Sequence, residues 1–388
     1  MIAQFESWRA GPGSPATEAL HALRLVAGRH REPRLLGVAP VARMNPYQSQ
    51  LYRAFPTHGI AAAPVNEAAS FGQLAEVSGL APVTVHLHWL SFVLGQAEDR
   101  RAARVRLDEF RAGLDAFLAQ PRTSLVWTVH NLVPHDARHL DLEIELRNAV
   151  SEAAGLVHVM SAATVEAVRP NTLLDASKTL VVPHPNYRGC YADHVTREDA
   201  RLALGLEPDE LVFVLLGAIK PYKGLEGLLD AFDDARGALG RRVRLVVAGQ
   251  PDASDEAQRF VERCLVHPDV LVAANRVPSE HVQHYLRAAD VGLAPYDRVL
   301  NSGAVQLYTS FDLPVVVPDV PAVRESLAAG TFLAYGPGGL AGALAAAERF
   351  ADDDEVRAAV RRNTDRFDAT RVSAALADAV RERTGGAA

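Results

Sequence analysis

Two successive series of short apolar runs, separated by longer amphipathic stretches, constrain this chain more than any other feature. In the first half the runs are RLLGVAP (34–40), AAAPV (61–65), VTVHLHW (83–89), SLVWTVHNL (124–132), GLVHVM (155–160) and TLVVPHP (179–185). In the second they are ELVFVLLGAI (210–219), VRLVVAGQ (243–250), VLVAANRV (270–277), DVGLAPY (290–296), LPVVVPD (313–319) and GTFLAYG (330–336). Between them lie stretches such as LDEFRAGLDAFLAQ (107–120) and DEAQRFVERCL (255–265), with apolar residues at helical spacing. Strands this uniformly apolar are buried on both faces, which calls for parallel sheets wrapped by helices.

At 388 residues, 48% of them hydrophobic and 22% charged, the chain is too long for one ordinary core. The expected fold class is therefore α/β, with two Rossmann-like doubly wound parallel-sheet domains facing a cleft. The polar segment NYRGCYADHVTRED (186–199) reads as the hinge. The expected domains are 1–190, with an added helix in SPATEALHALRLVAG, and 191–388, whose last helix is free to pack back on the first.

A net charge of −7 argues against nucleic acid or an anionic membrane as a bulk electrostatic partner. Two cysteines, Cys190 and Cys264, lie far apart and suit a reducing cytosol better than a disulfide framework. The start, MIAQFESWRAGPGS, lacks the basic and apolar regions of a signal peptide, and no apolar run is long enough to span a bilayer. A cytoplasmic location follows as the expectation; oligomeric state is not legible.

In doubly wound sheets ligands bind beyond the carboxyl ends of strands, at helix N-termini. One such turn is GAIKPYKGLEGLLDAF (217–232). Gly217 ends a buried strand, Pro221 and Gly224 shape the turn, and Lys220 and Lys223 stand where a helix presents unsatisfied N–H groups. The pair is placed to meet phosphate, although two solvated lysines at an ordinary turn would read the same. A second turn, LNSGAVQLY (300–308), sets Asn301, Ser302, Gly303 and Ala304 at the start of a helix, either as an anion site or as a plain cap.

The unit G-x-I-K-P-Y-K-G-L, followed by VVAGQP, DVGLAPY and PVVVP, resembles the donor half of the GT-B nucleotide-sugar glycosyltransferases, over most of the second half and in the right order. The resemblance implies that Lys220 and Lys223 contact the donor diphosphate, and that Arg276 and Val277 lie against the nucleotide base. Many retaining members carry two glutamates with seven residues between them. Their places here are held by Val299 and Leu307, and the chain has instead the N-S-G-A loop of a subgroup. Glu325 is a spare carboxylate for the sugar or ribose, or a cap for the next helix.

The first half resembles the acceptor domain of the same subgroup. Asn45 and Tyr47 follow the first strand, His88 and Trp89 end the third, and His130, His135 and Asp136 lie in HNLVPHD after the fourth. His184 and Tyr187 approach the hinge. His130 is expected near the transferred sugar, with His135 or Asp136 handling a proton; Asp136 would equally cap a helix. His and carboxylate could also bind a metal, but the family generally needs none, so no cofactor is expected. His86 and His88 share one face of a strand.

The expected activity is that of a hexosyltransferase, moving a sugar from GDP-mannose or a UDP- or dTDP-sugar to an acceptor hydroxyl in glycan or natural-product glycoside biosynthesis. The acceptor is either a soluble small molecule, favoured by the lack of a long basic amphipathic helix, or a lipid-linked glycan. The alternatives are a catalytically inactive partner subunit of the same fold, kept open by the missing glutamates, and a GT-B-fold nucleotide-sugar epimerase.

Overall fold

A computed structural model describes residues 15–42, 45–65, 70–95, 97–133, 137–297, 299–350 and 353–384. The chain forms two compact units, one running to Pro185 and taking in Asp368 onward, the other Asn186–Phe367. The helix Ala369–Arg383 thus completes the first unit. There Ser373 Oγ accepts from the Ala54 N–H at 2.8 Å, and Arg381 Nη1 donates to the His58 carbonyl at 2.8 Å.

The first unit is built on strands β1 (Arg34–Ala39), β2 (Ile60–Pro64), β3 (Val83–Leu87), β4 (Thr123–Thr128), β5 (Leu156–Val159) and β6 (Thr179–Val181). They form one parallel sheet in the order β2-β1-β3-β4-β5-β6. The helix Arg100–Leu118 shows how the sequence drives the packing. Asp99 caps it by accepting from the Ala102 N–H, and Ala103, Leu107, Phe110, Leu114 and Phe117 form its buried stripe.

The second unit holds β7 (Leu211–Leu216), β8 (Val243–Ala248), β9 (Val270–Ala273), β10 (Val291–Leu293), β11 (Val315–Pro318) and β12 (Phe332–Tyr335), again parallel, in the order β12-β11-β10-β7-β8-β9. Alternation on β7 explains the double winding. Leu211, Phe213 and Leu215 pack with Leu228, Leu229 and Phe232 on one side. Val212, Val214 and Leu216 pack with Leu286, Tyr308 and Leu313 on the other.

Every strand expected from the sequence is present, and most end earlier than the apolar runs do. β3 stops at Leu87 rather than Trp89, β4 at Thr128 rather than Leu132, and β9 at Ala273 rather than Val277. Among the described residues no helix is long and apolar enough to cross a membrane.

Candidate active site

Each sheet has one point where the winding reverses, and the crevice there is where such folds take ligands. In the second sheet it lies between β7 and β10, whose Phe213 and Val214 pair with Val291 and Gly292. The two turns marked out by the sequence both lie at this point.

After β7 the chain makes a short turn, Pro221–Lys223, before the helix Leu225–Ala238. Gly217 (φ 105°) and Gly224 (φ 69°) take backbone conformations that favour glycine. A side chain on Gly224 would run into the Pro295 carbonyl oxygen, 2.0 Å from where its Cβ would stand. The turns after β7 and β10 are therefore in backbone contact. The Asp297 N–H donates to the Tyr222 carbonyl at 3.2 Å, and the Tyr222 and Tyr296 rings stack at 5.9 Å.

Lys220 is exposed on this turn, whereas Lys223 is only 5% exposed. Its ammonium folds over Gly217, where a Cβ would come within 3.3 Å of Nζ. Burial, and after it the charge on Lys220, pulls the Lys223 pKa down to about 8.

After β10, Ser302 caps the helix Gly303–Ser310, its Oγ accepting from the Val305 N–H and donating to the Tyr296 hydroxyl, both at 3.1 Å. Tyr308 ties the helix to the end of β7, its hydroxyl accepting from the Leu216 N–H at 2.8 Å. Asn301 and Ala304 flank this start half-buried. Arg276 is exposed and Val277 half-buried beyond β9, two strands from the crevice; Glu325 is exposed at the end of the short helix Pro321–Arg324.

In the first sheet the reversal lies between β1 and β3. Asn45 Oδ1 accepts from the Tyr47 N–H at 3.0 Å and starts the short helix Tyr47–Leu51. Tyr47 is buried at the centre of a ring cluster, 4.8 Å from His184, 5.2 Å from His130, 6.0 Å from His88 and 6.3 Å from Trp89. Half-buried Trp89 and His130 stack at 4.1 Å, and His130 Nε2 meets His88 Nδ1 at 2.9 Å.

Burial pulls the pKa values of His88 and His130 well below 6.5 and that of His184 to about 4, so all three imidazoles are neutral at pH 7. The structure thus brings Tyr47, His88, Trp89, His130 and His184 together. Tyr187 instead belongs to the second unit, where its N–H donates to Ser310 Oγ at 2.9 Å. His135 and Asp136 lie outside the described residues. Among those described, no group of three or more His, Cys, Asp or Glu could hold a metal ion.

Sequence reasoning passed over Tyr52, Thr128 and His158, which bond to His86 and His88 directly or through one another. The signal was a period of two: His86 and His88, in phase with Thr84, and Thr128 and His130, in phase with Ser124, stand at alternate positions of otherwise apolar runs.

Residues 196–366 match the family model for glycosyl transferases group 1. A GDP-mannose:glycolipid 4-beta-D-mannosyltransferase of Xanthomonas campestris pv. campestris is 27% identical over 300 residues, covering 76% of this chain and 77% of that protein. A D-inositol 3-phosphate glycosyltransferase of Geodermatophilus obscurus is 32% identical over 40% of this chain and 36% of its own length. Among solved structures, sucrose-phosphate synthase from Thermosynechococcus elongatus has a TM-score of 0.68 at 16% identity, covering 92% of this chain and all of that one. Anabaena HepE in complex with UDP and glucose gives 0.65 at 14%, covering 90% of this chain and 100% of its own. With the two parallel sheets and the lysine turn at the winding reversal, these likenesses make the chain a glycosyltransferase of the GT-B fold.

Proposed function

We propose that the enzyme transfers mannose from GDP-mannose to a hydroxyl of a lipid-linked glycan, acting in the cytoplasm. The observation that carries the donor assignment is the buried Lys223 ammonium lying over Gly217 at the winding reversal, with the Lys220 charge close enough to help lower its pKa. A desolvated cation with a second lysine beside it is set up to receive an anion, and the leaving diphosphate supplies one. The names of the relatives from Xanthomonas campestris support mannose, guanosine and a glycolipid acceptor.

In this reading Lys220 and the amides of Gly303 and Ala304 share the diphosphate charge with Lys223, Arg276 and Val277 meet the base, and Glu325 is held for the sugar or ribose. In the first unit Asn45, Trp89 and His130 contact sugar or acceptor, with Tyr47, His88 and His184 supporting the rings. His135 and Asp136 are assigned to proton handling. Lysines and helix ends would neutralise the diphosphate without a metal, so turnover is expected to survive chelation by EDTA, read as product formed with and without chelator.

The test of the donor site is a thermal-shift series with GDP, UDP, dTDP and ADP on the wild type and on Lys223→Ala. GDP at about 100 times its dissociation constant should add ~2.7 kcal/mol of stability, and the variant should lose that gain. If none of the nucleotides shifts the wild type, the donor assignment fails. If GDP binds but is never hydrolysed or transferred, the inactive-subunit reading replaces it.

A further inference from the structure

An unbroken chain of hydrogen bonds crosses the buried middle of the first sheet, over β3, β4 and β5. His158 Nε2 lies 2.8 Å from the Val182 carbonyl oxygen, and His158 Nδ1 lies 2.9 Å from Thr128 Oγ1. Thr128 Oγ1 lies 2.7 Å from His86 Nε2, and His86 Nδ1 lies 2.7 Å from the Tyr52 hydroxyl. That hydroxyl lies 2.5 Å from His88 Nε2, and His88 Nδ1 lies 2.9 Å from His130 Nε2. All members are buried except His130, which is half-buried at the carboxyl end of β4.

The direction of every bond follows from the far end. A carbonyl only accepts, so the His158 proton is on Nε2 and its lone pair on Nδ1. Thr128 must then donate to His158, which spends its one proton, and His86 Nε2–H must donate to Thr128. His86 keeps its lone pair on Nδ1, so Tyr52 donates to it, and His88 Nε2–H donates to Tyr52. His88 in turn offers a lone pair to the Nε2–H of His130. Each imidazole is neutral, because burial disfavours the charged form, helped at His86, His88 and His130 by the neighbouring histidines. One reversed tautomer would set two protons or two lone pairs face to face in a dry interior. The carbonyl terminus neither gives nor takes a proton, so the chain conducts nothing.

We propose that this chain is a tautomer lock, with His158, Thr128, His86, Tyr52 and His88 as positioning residues that hold the His130 proton on Nε2 and its lone pair on Nδ1, so that His130 meets a hydroxyl of sugar or acceptor as a hydrogen-bond acceptor. Only that last step rests on the reading of His130 as a substrate contact. The lock is a property of the unliganded protein.

The experiment is nitrogen-15 NMR of histidine-labelled protein, wild type, Thr128→Val and Thr128→Ser. In the wild type His86, His88, His130 and His158 should all show Nε2–H. His184, whose Nδ1 lies 2.7 Å from the Pro185 carbonyl, should show Nδ1–H and serves as the internal contrast. Thr128→Val keeps the shape and cuts the chain, so His130 should become a mixture of tautomers and kcat/KM should fall by about tenfold or more; Thr128→Ser should restore both. Should Thr128→Val fail to fold, Tyr52→Phe cuts the chain two links nearer His130 and is read the same way. Nδ1–H on His130 in the wild type, or an unchanged His130 signal in the cut variants, overturns the lock. The expected tautomers without any transferase turnover would uphold the lock and sink the mannosyltransferase reading instead.

Discussion

Replacing Lys223 by methionine is expected to make the unliganded protein more stable and to abolish its response to nucleotide. The ordinary lysine pKa of 10.5 is pulled down to about 8 here, by burial first and by Lys220 second. The folded state therefore binds fewer protons than the unfolded state between about pH 8 and 10.5. Native stability should rise with pH across that window and lie on its low plateau below it. At 1.36 kcal/mol per unit, the charge costs up to about 3 kcal/mol at pH 7. Lys223→Met removes that cost and fills the same space, so its melting curve should lie above the wild type at pH 7 and converge with it only above about pH 10.5. The same variant should lose about two to three orders of magnitude in kcat/KM, the usual scale for removing one group that stabilises developing charge. A methionine variant less stable than wild type at pH 7, or one still stabilised by GDP, would show that the lysine serves the fold and not a ligand.

The second large effect is expected at Gly224. Alanine there must hold a φ of 69° and place its Cβ 2.0 Å from the Pro295 carbonyl oxygen and 3.1 Å from its carbon. The obstacle is backbone, so no rotamer change relieves it. The turns after β7 and β10 must part, the Tyr222–Tyr296 stack opens, and Lys223 loses its seat over Gly217. Strain and displacement together should cost roughly 3 kcal/mol, read from urea unfolding, and GDP affinity should drop at least a hundredfold, about 2.7 kcal/mol. Gly227, exposed on the same helix with nothing within 4 Å of its Cβ position, is the control. Alanine there should leave affinity unchanged and add about 0.5–1 kcal/mol through helix propensity and a less flexible unfolded chain. If Gly224→Ala behaved like Gly227→Ala, the two turns would not be coupled as described.

The fold was legible in the sequence because strands buried on both faces leave an apolar run that needs no partner to be recognised. Strand ends were not. VTVHLHW stays buried through His88 while the strand stops at Leu87, since burial does not report the ladder. Short helices such as Tyr47–Leu51 and Ser91–Leu94 hold too few turns to show a period. At the site, Lys220, Lys223 and the N-S-G-A loop could be found because helix starts are written locally, in glycines and caps. The histidine chain could not, because its links join residues 24 to 42 apart along the chain and depend on registers such as Thr128 opposite His158. That Lys223 is buried and Lys220 exposed was equally invisible, as it depends on how one side chain folds over Gly217.

The placement of the helix Ala369–Arg383 sets a clock on biosynthesis. Its Ser373 and Arg381 close the first unit on Ala54 and His58, yet they are made only after roughly 180 residues of the second unit, on the order of 10–40 s later at ordinary ribosome speeds. For that interval the first six strands leave the ribosome without their last partner, while Asn186–Phe367 is complete as soon as it emerges. The half encoded first is the half finished last.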